Sequence, residues 1–239
     1  MDQKGNAMTP YYDEGGITIY HGDALEVLPE LQSSSVGIVL TDPPFVIGAV
    51  SAGNMASKSG GWADMMNSAL WFSTWYREVD RLMHRTGAMW TCCNWRSLPV
   101  VMRAASDNQM PVTSVAVWDK EWIGPGGSQG LRPSYELVAL LAHPDFTIED
   151  RGTADIFRCK VGSYKASGHA AEKPERLFRD LLRCSLSGVE KQLVLDPFMG
   201  SGTTLAAAAR EGVAAIGIEA EERWCEYAAR RLGQEVLAL

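Results

Sequence analysis

Between Leu193 and Glu219 the chain sets out a short apolar run, a glycine turn, an alanine-rich stretch, a glycine stop and a second apolar run. Leu193-Val194-Leu195 has strand character and ends in Asp196; Pro197-Phe198-Met199-Gly200-Ser201-Gly202 forms the turn. Thr203-Thr204-Leu205-Ala206-Ala207-Ala208-Ala209-Arg210 reads as a helix that Gly212 stops in a left-handed cap. Ala214–Ile218 is a second strand, closed by Glu219. Strand, turn, helix and strand in that order are the repeating unit of open, mostly parallel α/β sheets. The unit also suits a ligand. Backbone N–H groups at the turn and helix start can face an anionic or polar group, and β-carbons at Gly200 and Gly202 would block close approach. Glu219 lies 19 residues after Gly200, about where a carboxylate holds a ribose diol in nucleotide-binding α/β units. The same residues equally describe a tight turn with no ligand. No lysine follows Gly202, which argues against a phosphate-binding P-loop.

A second strand-ending acid stands far upstream. Val36-Gly37-Ile38-Val39-Leu40-Thr41 reads as a buried strand, and Asp42-Pro43-Pro44-Phe45 occupies its C-terminal edge, where open α/β sheets bind ligands. Two prolines fix φ, remove two N–H donors and restrict the residues before them, so the corner is stiff. One carboxylate, one free carbonyl and one aromatic ring on a stiff corner suit an exocyclic amine on a planar heterocycle. Asp42 and the Pro43 carbonyl would each accept one N–H, freeing the nitrogen lone pair, while Phe45 stacks on the ring. The other reading is a proline turn in which Asp42 caps nearby backbone.

Seven strands are predicted: 17–20, 36–41, 88–91, 115–118, 137–141, 193–195 and 215–218. Helical patterns lie between them, so the expected architecture is α/β, an open seven-stranded, mostly parallel sheet with helices on both faces. Residues 62–85 carry the clearest amphipathic helix, with Phe72, Trp75, Tyr76, Val79 and Leu82 at helical spacing, an aromatic stripe expected in the core. Pro174 starts another helix with Leu177, Phe178, Leu181 and Leu182 on one face. The Gly- and Ser-rich stretch 48–61 either orders itself over a bound base or is a linker. Loops at 121–133 and 145–167 offer Arg132, Arg151, Arg158, Lys160 and Lys165, with Lys120 beside them, as phosphate contacts or solvated charges.

A formal charge of −7 excludes a strongly basic nucleic-acid coat protein. The excess is local: residues 1–40 hold six acids against Lys4 alone, so a modest basic groove elsewhere is compatible with the total. Binding to DNA is expected to be weak without specificity and sensitive to salt. Five cysteines without Cys-x-x-Cys spacing read as reduced, packed thiols, and four scattered histidines give no metal site. With no apolar run of spanning length and no leader pattern, a soluble, cytoplasmic protein is expected.

The order of the two motifs, proline corner first and glycine turn second, resembles the DNA amino-methyltransferases of the permuted (beta) group, which use S-adenosylmethionine. The resemblance covers nearly the whole chain and implies one Rossmann-like methyltransferase domain over 1–239, with a small target-recognition insert at about 121–168. It implies that Asp42, Pro43, Pro44 and Phe45 are catalytic, Phe45 replacing the commoner tyrosine. It places S-adenosylmethionine on Asp196, Phe198, Gly200, Ser201, Gly202, Thr203, Thr204 and Glu219. Ile19-Tyr20-His21-Gly22-Asp23 looks like the strand whose acid, Asp23, contacts the cofactor adenine, and Trp118-Asp119-Lys120 matches a later strand motif. Gly168–Pro174 looks like the segment that closes over the methionine moiety through His169 and Lys173, although Ala170 stands where the family usually has proline. No metal is implied. Asp in the first catalytic position is typical of adenine N6 methylation, with cytosine N4 the alternative and RNA in place of DNA a third reading. A non-catalytic cofactor-binding subunit on nucleic acid is the rival from another class. DNA is the expected partner, and such short recognition loops leave room for a second copy to share the reading as a homodimer.

Overall fold

The computed structural model describes residues 8–44, 62–124, 130–160 and 172–236. Nine strands form one sheet: β1 (Tyr12–Glu14), β2 (Ile17–His21), β3 (Val36–Thr41), β4 (Met83–Cys93), β5 (Val112–Asp119), β6 (Tyr135–Ala142), β7 (Ile156–Arg158), β8 (Leu193–Asp196) and β9 (Ala214–Glu219). The helices are α1 (Ala24–Val27), α2 (Trp62–Leu82), α3 (Leu98–Asp107), α4 (Glu175–Leu186), α5 (Thr203–Arg210) and α6 (Glu222–Val236). All seven expected strands are present, in the spatial order β2-β9-β8-β3-β4-β6-β5. The first five run parallel, and β6 runs antiparallel to both β4 and β5.

Two edge strands, β1 and β7, extend the sheet on either side. Each is three residues long and mostly exposed, so neither leaves an alternating apolar pattern to read. The helix expected over 62–85 ends at Leu82. Met83 already pairs with Val36, so the chain passes from helix to strand without a loop, through a register irregularity between Val36 and Ile38.

β3 is buried at every residue because helices cover both faces. Alternation sends Ile38 and Leu40 toward Leu177, Phe178 and Leu181 of α4, with Leu205 of α5 and Ala228 of α6 in the same cluster. Val36 and Val39 turn to the opposite face, among Phe72, Trp75, Tyr76 and Val79 of α2 and Val101 of α3. The five cysteines are free.

Neighbouring β3 and β8 send their chains in opposite directions: β3 continues through α2 toward β4, and β8 through α5 toward β9. A crevice opens at the carboxyl ends of two strands that diverge this way. Asp42 follows β3 there, and Asp196 ends β8. Their spacing depends on Gly37, where an added β-carbon would sit 1.5 Å from the carbonyl oxygen of Lys191, just ahead of β8. Backbone cannot yield as a side-chain tip can. Gly37→Ala is therefore expected to destabilise the fold by about 3 kcal/mol, read as a lower urea midpoint; an unchanged midpoint would show that the two strands are not this closely held.

Candidate functional site

At the divergence of β3 and β8, Thr41 and Thr204 hold one carboxylate between them. The Thr41 hydroxyl donates to Asp196 Oδ1 at 2.7 Å, the Thr204 hydroxyl donates to Oδ2, and the Phe198 amide donates to Oδ1 at 3.1 Å. Asp196 is 2% exposed, and burial pushes its carboxyl up to about 6, against the pull of those three donors. A carboxylate so enclosed ties the turn to the strands. Thr203, also buried, donates toward the Lys173 carbonyl at 3.4 Å.

The turn that follows is glycine-dependent for two different reasons. Gly200 (φ 51°) and Gly202 (φ 79°) both adopt left-handed backbone. Gly200 lines the crevice, but a β-carbon at Gly202 would meet Ala228 of α6 at 2.7 Å. The close approach at Gly202 is thus to a helix, which gives this glycine a reason within the fold. The expected array of free N–H groups is also smaller. Gly200 donates to Glu219 Oε2 at 3.0 Å and Gly202 to the Met199 carbonyl at 2.9 Å. Glu219 in addition accepts from Glu221 N at 2.7 Å through Oε1, which leaves further lone pairs on both oxygens. Asp23 caps α1 by accepting from Leu25 N at 2.8 Å.

These groups border one cavity of about 520 Å³, within the usual size range of small-molecule sites. It is lined by Asp23, Asp42, Pro43, Pro44, Lys173, Asp196, Phe198, Gly200, Ser201, Thr203, Thr204 and Glu219. Of the predicted site residues that the structure describes, Gly202 alone stands outside that lining. Phe45, His169 and the 48–61 stretch lie outside the described residues.

The structure adds groups that sequence reasoning passed over. Trp71 lines the cavity, and its ring centroid is 5.3 Å from that of Phe198, which also meets Trp75 at 5.2 Å. The α2 stripe was expected to be core, and Trp75 is; Trp71, one turn before Trp75, lies at the edge of the same stripe and is only partly buried. Glu172 borders the cavity as well and is held by Arg231 at 3.1 Å.

Glu136, at the start of β6, was also missed. It accepts from Lys120 Nζ at 2.6 Å and faces Lys173 Nζ at 3.5 Å, while Lys173 donates to Asp42 Oδ2. Lys120 is accordingly turned inward, which corrects its reading as a phosphate contact. Burial would depress the Lys173 ammonium, yet the Asp42 and Glu136 carboxylates outweigh it and hold the pKa well above the ordinary lysine value. Burial would likewise raise Glu136, but Lys173 and Lys120 bring it below the usual range. Among the other basic candidates, Arg132 donates to the carbonyls of Gly124 and Ile123, Arg158 lies 3.7 Å from Asp119, and Arg151 and Lys160 are exposed. Lys165 lies outside the described residues.

The profile of the N6/N4 family described as DNA methylase matches residues 36–230. The chain is 24% identical over 253 residues to the DNA adenine methyltransferase YhdJ of Escherichia coli (strain K12), covering 90% of this chain and 82% of that one. Its fold is similar to the PvuII DNA methyltransferase (cytosine-N4-specific), with a TM-score of 0.73, 19% identity and coverage of 92% and 87%. It is also similar to M1.HpyAVI in its complex with SAM, with a TM-score of 0.70, 22% identity and coverage of 90% and 98%.

The enclosed carboxylate generates a pH dependence with a definite sign. Asp196 binds its proton more tightly folded (about 6) than unfolded (3.8), so its stabilising contribution is full below about 4 and is lost as pH rises through about 6. Relative to Asp196→Asn, the wild-type unfolding free energy should fall by roughly 3 kcal/mol across that window, measured by urea unfolding at stepped pH. Parallel curves for the two proteins would contradict the assignment.

Proposed function

The chain belongs to the N6/N4 DNA methylase family, and from that membership we propose that it methylates the N6 amine of adenine in DNA using S-adenosylmethionine. The observation that carries the proposal is the shared cavity: the proline corner after β3 and the glycine turn after β8 border one space. Cofactor and target amine would then meet there.

The residues on the β8 side fit a nucleoside. Gly200 approaches without a side chain, Glu219 keeps lone pairs for a ribose diol, Asp23 offers a carboxylate to an adenine amine, and the Phe198–Trp71 rings give an apolar wall. When bound there, S-adenosylmethionine supplies a methyl group activated by its sulfonium. The chain's own part is to present the nitrogen. The target adenine must leave the stack, since its amine is otherwise occupied in pairing. Asp42 and the Pro43 carbonyl each accept one N–H, which turns the nitrogen lone pair toward the cofactor side, and Asp42 is placed to receive the proton that the methylated nitrogen sheds. Phe45, next in sequence, carries the ring that stacks on the base in this scheme. Positioning supplies much of the rate.

Adenine is favoured because an aspartate, Asp42, heads the corner, the form typical of N6 methylation in the family that the chain resembles. YhdJ is described as a DNA adenine methyltransferase, which agrees. We place target recognition in the region from about 121 to 168, on a chain that works as one catalytic unit over 1–239.

Nucleosides from DNA methylated by the purified chain are expected to contain N6-methyladenine by mass spectrometry. N4-methylcytosine would assign the cytosine reading instead, and no modified base at all would favour a non-catalytic subunit. Asp42→Ala should lower turnover by at least about a hundredfold and leave the affinity for S-adenosylhomocysteine, read by calorimetry, within about threefold. Near-normal turnover in that variant would refute the role of Asp42.

A further inference from the structure

Four side chains of alternating sign form a series that starts at the cavity: Asp42 after β3, Lys173 ahead of α4, Glu136 on β6 and Lys120 just after β5. Lys173 is 8% exposed as a residue, and its side chain is hemmed in by the carboxylates of Asp42 and Glu136. The resemblance assigns Lys173 to the cofactor. The geometry points to a different role: Lys173 is a positioning residue that orients Asp42 and holds it as the ionised acceptor of the target amine, with Glu136 and Lys120 fixing the lysine in turn. This inference rests on the reading of Asp42 as the amine acceptor.

Only the ionised carboxylate is an acceptor on both oxygens; once protonated it carries an O–H donor that would face the N–H groups of the amine. Other acidic groups surround Asp42 and oppose its ionisation. Asp196 repels Asp42 as a like charge and Glu136 shares Lys173 with it, whereas burial keeps the Cys92 thiol of β4 beside the cluster neutral. Among the described residues, Lys173 is a cation in contact with Asp42. A buried lysine left with one partner would tend to lose its proton, and Glu136 prevents that by supplying a second carboxylate. Lys120 then compensates Glu136. The four charges balance, and the position of the acid limb of methyl transfer should therefore depend on the charge of Lys173.

The test is the pH dependence of single-turnover methylation, with calorimetric titration of S-adenosylhomocysteine alongside. Lys173→Gln retains polarity and loses the charge. It should move the acid limb up by at least about one pH unit, that is a tenfold change in the ionisation equilibrium, and lower the plateau rate at least about tenfold. Cofactor affinity should stay within about threefold of wild type. Lys173→Arg keeps the charge and should leave the acid limb at the wild-type position. A limb that stays put in Lys173→Gln while cofactor affinity falls tenfold would overturn the inference and return the lysine to the cofactor. Equal displacement of the limb in Lys173→Arg would also overturn it, by showing that shape and not charge matters. If Lys173→Gln has no cooperative melting transition, the limb of Lys173→Arg decides alone. The identity of the methylated nucleoside is read from wild type, so a failure of the adenine assignment is distinguishable from a failure of this inference.

Discussion

One buried carboxylate joins the two halves of the site. Asp196 ends β8, accepts a hydroxyl from Thr41 at the end of β3, and accepts another from Thr204 in the first turn of α5. The Thr204 hydroxyl, which shares its one proton between Asp196 and the Leu40 carbonyl 3.2 Å away, ties strand, turn and helix at one point. Burying a carboxylate is unfavourable unless it is well bonded, and three donors answer that demand here. The consequence is spatial. Once Asp196 is fixed, the Gly200 turn and the Asp42 corner border the same cavity, and Lys173, whose carbonyl accepts from Thr203, is brought over Asp42.

Much of this arrangement could be read in the residues. β3 and β8 were visible because parallel strands covered on both faces are continuous apolar runs, as in Val36–Thr41 and Leu193–Leu195. The Gly200 turn announced itself through paired glycines between an apolar run and an alanine-rich stretch, and Glu219 through its distance from Gly200. What escaped were features with no period. β1 and β7 are short, exposed edges. Glu136 looked like an ordinary polar residue at the mouth of a strand, and only antiparallel pairing of β5 with β6, which sets Trp118 against Glu136, brings Lys120 to its side. Gly202 was legible as a glycine that must remain one, but its reason, Ala228 of α6, is a tertiary contact from the far end of the chain.

The same logic explains why Lys120 and Arg132 are poor phosphate contacts despite their loop positions. Lys120 compensates an interior carboxylate, and Arg132 braces the carbonyls of Ile123 and Gly124. A net charge of −7 already limited how much of the surface could attract DNA without specificity. On the proposed mechanism, productive binding depends on the local fit of the loops and of the extruded base more than on a broad positive face. A stiff proline corner suits that division of labour, since a pre-set acceptor pair need not reorganise when the base arrives.

The central claim is that Asp42 and the Pro43 carbonyl together grip the exocyclic amine of a base rotated out of DNA, beside the bound cofactor. A crystal structure of the chain with S-adenosylhomocysteine and a duplex containing its methylated site, identified by sequencing modified DNA, examines that directly. The account predicts adenine N6 within about 3 Å of both Asp42 and the Pro43 oxygen, with the cofactor sulfur on the Gly200 side. A target base still stacked in the duplex, or an extruded base whose amine points away from Asp42, would contradict it.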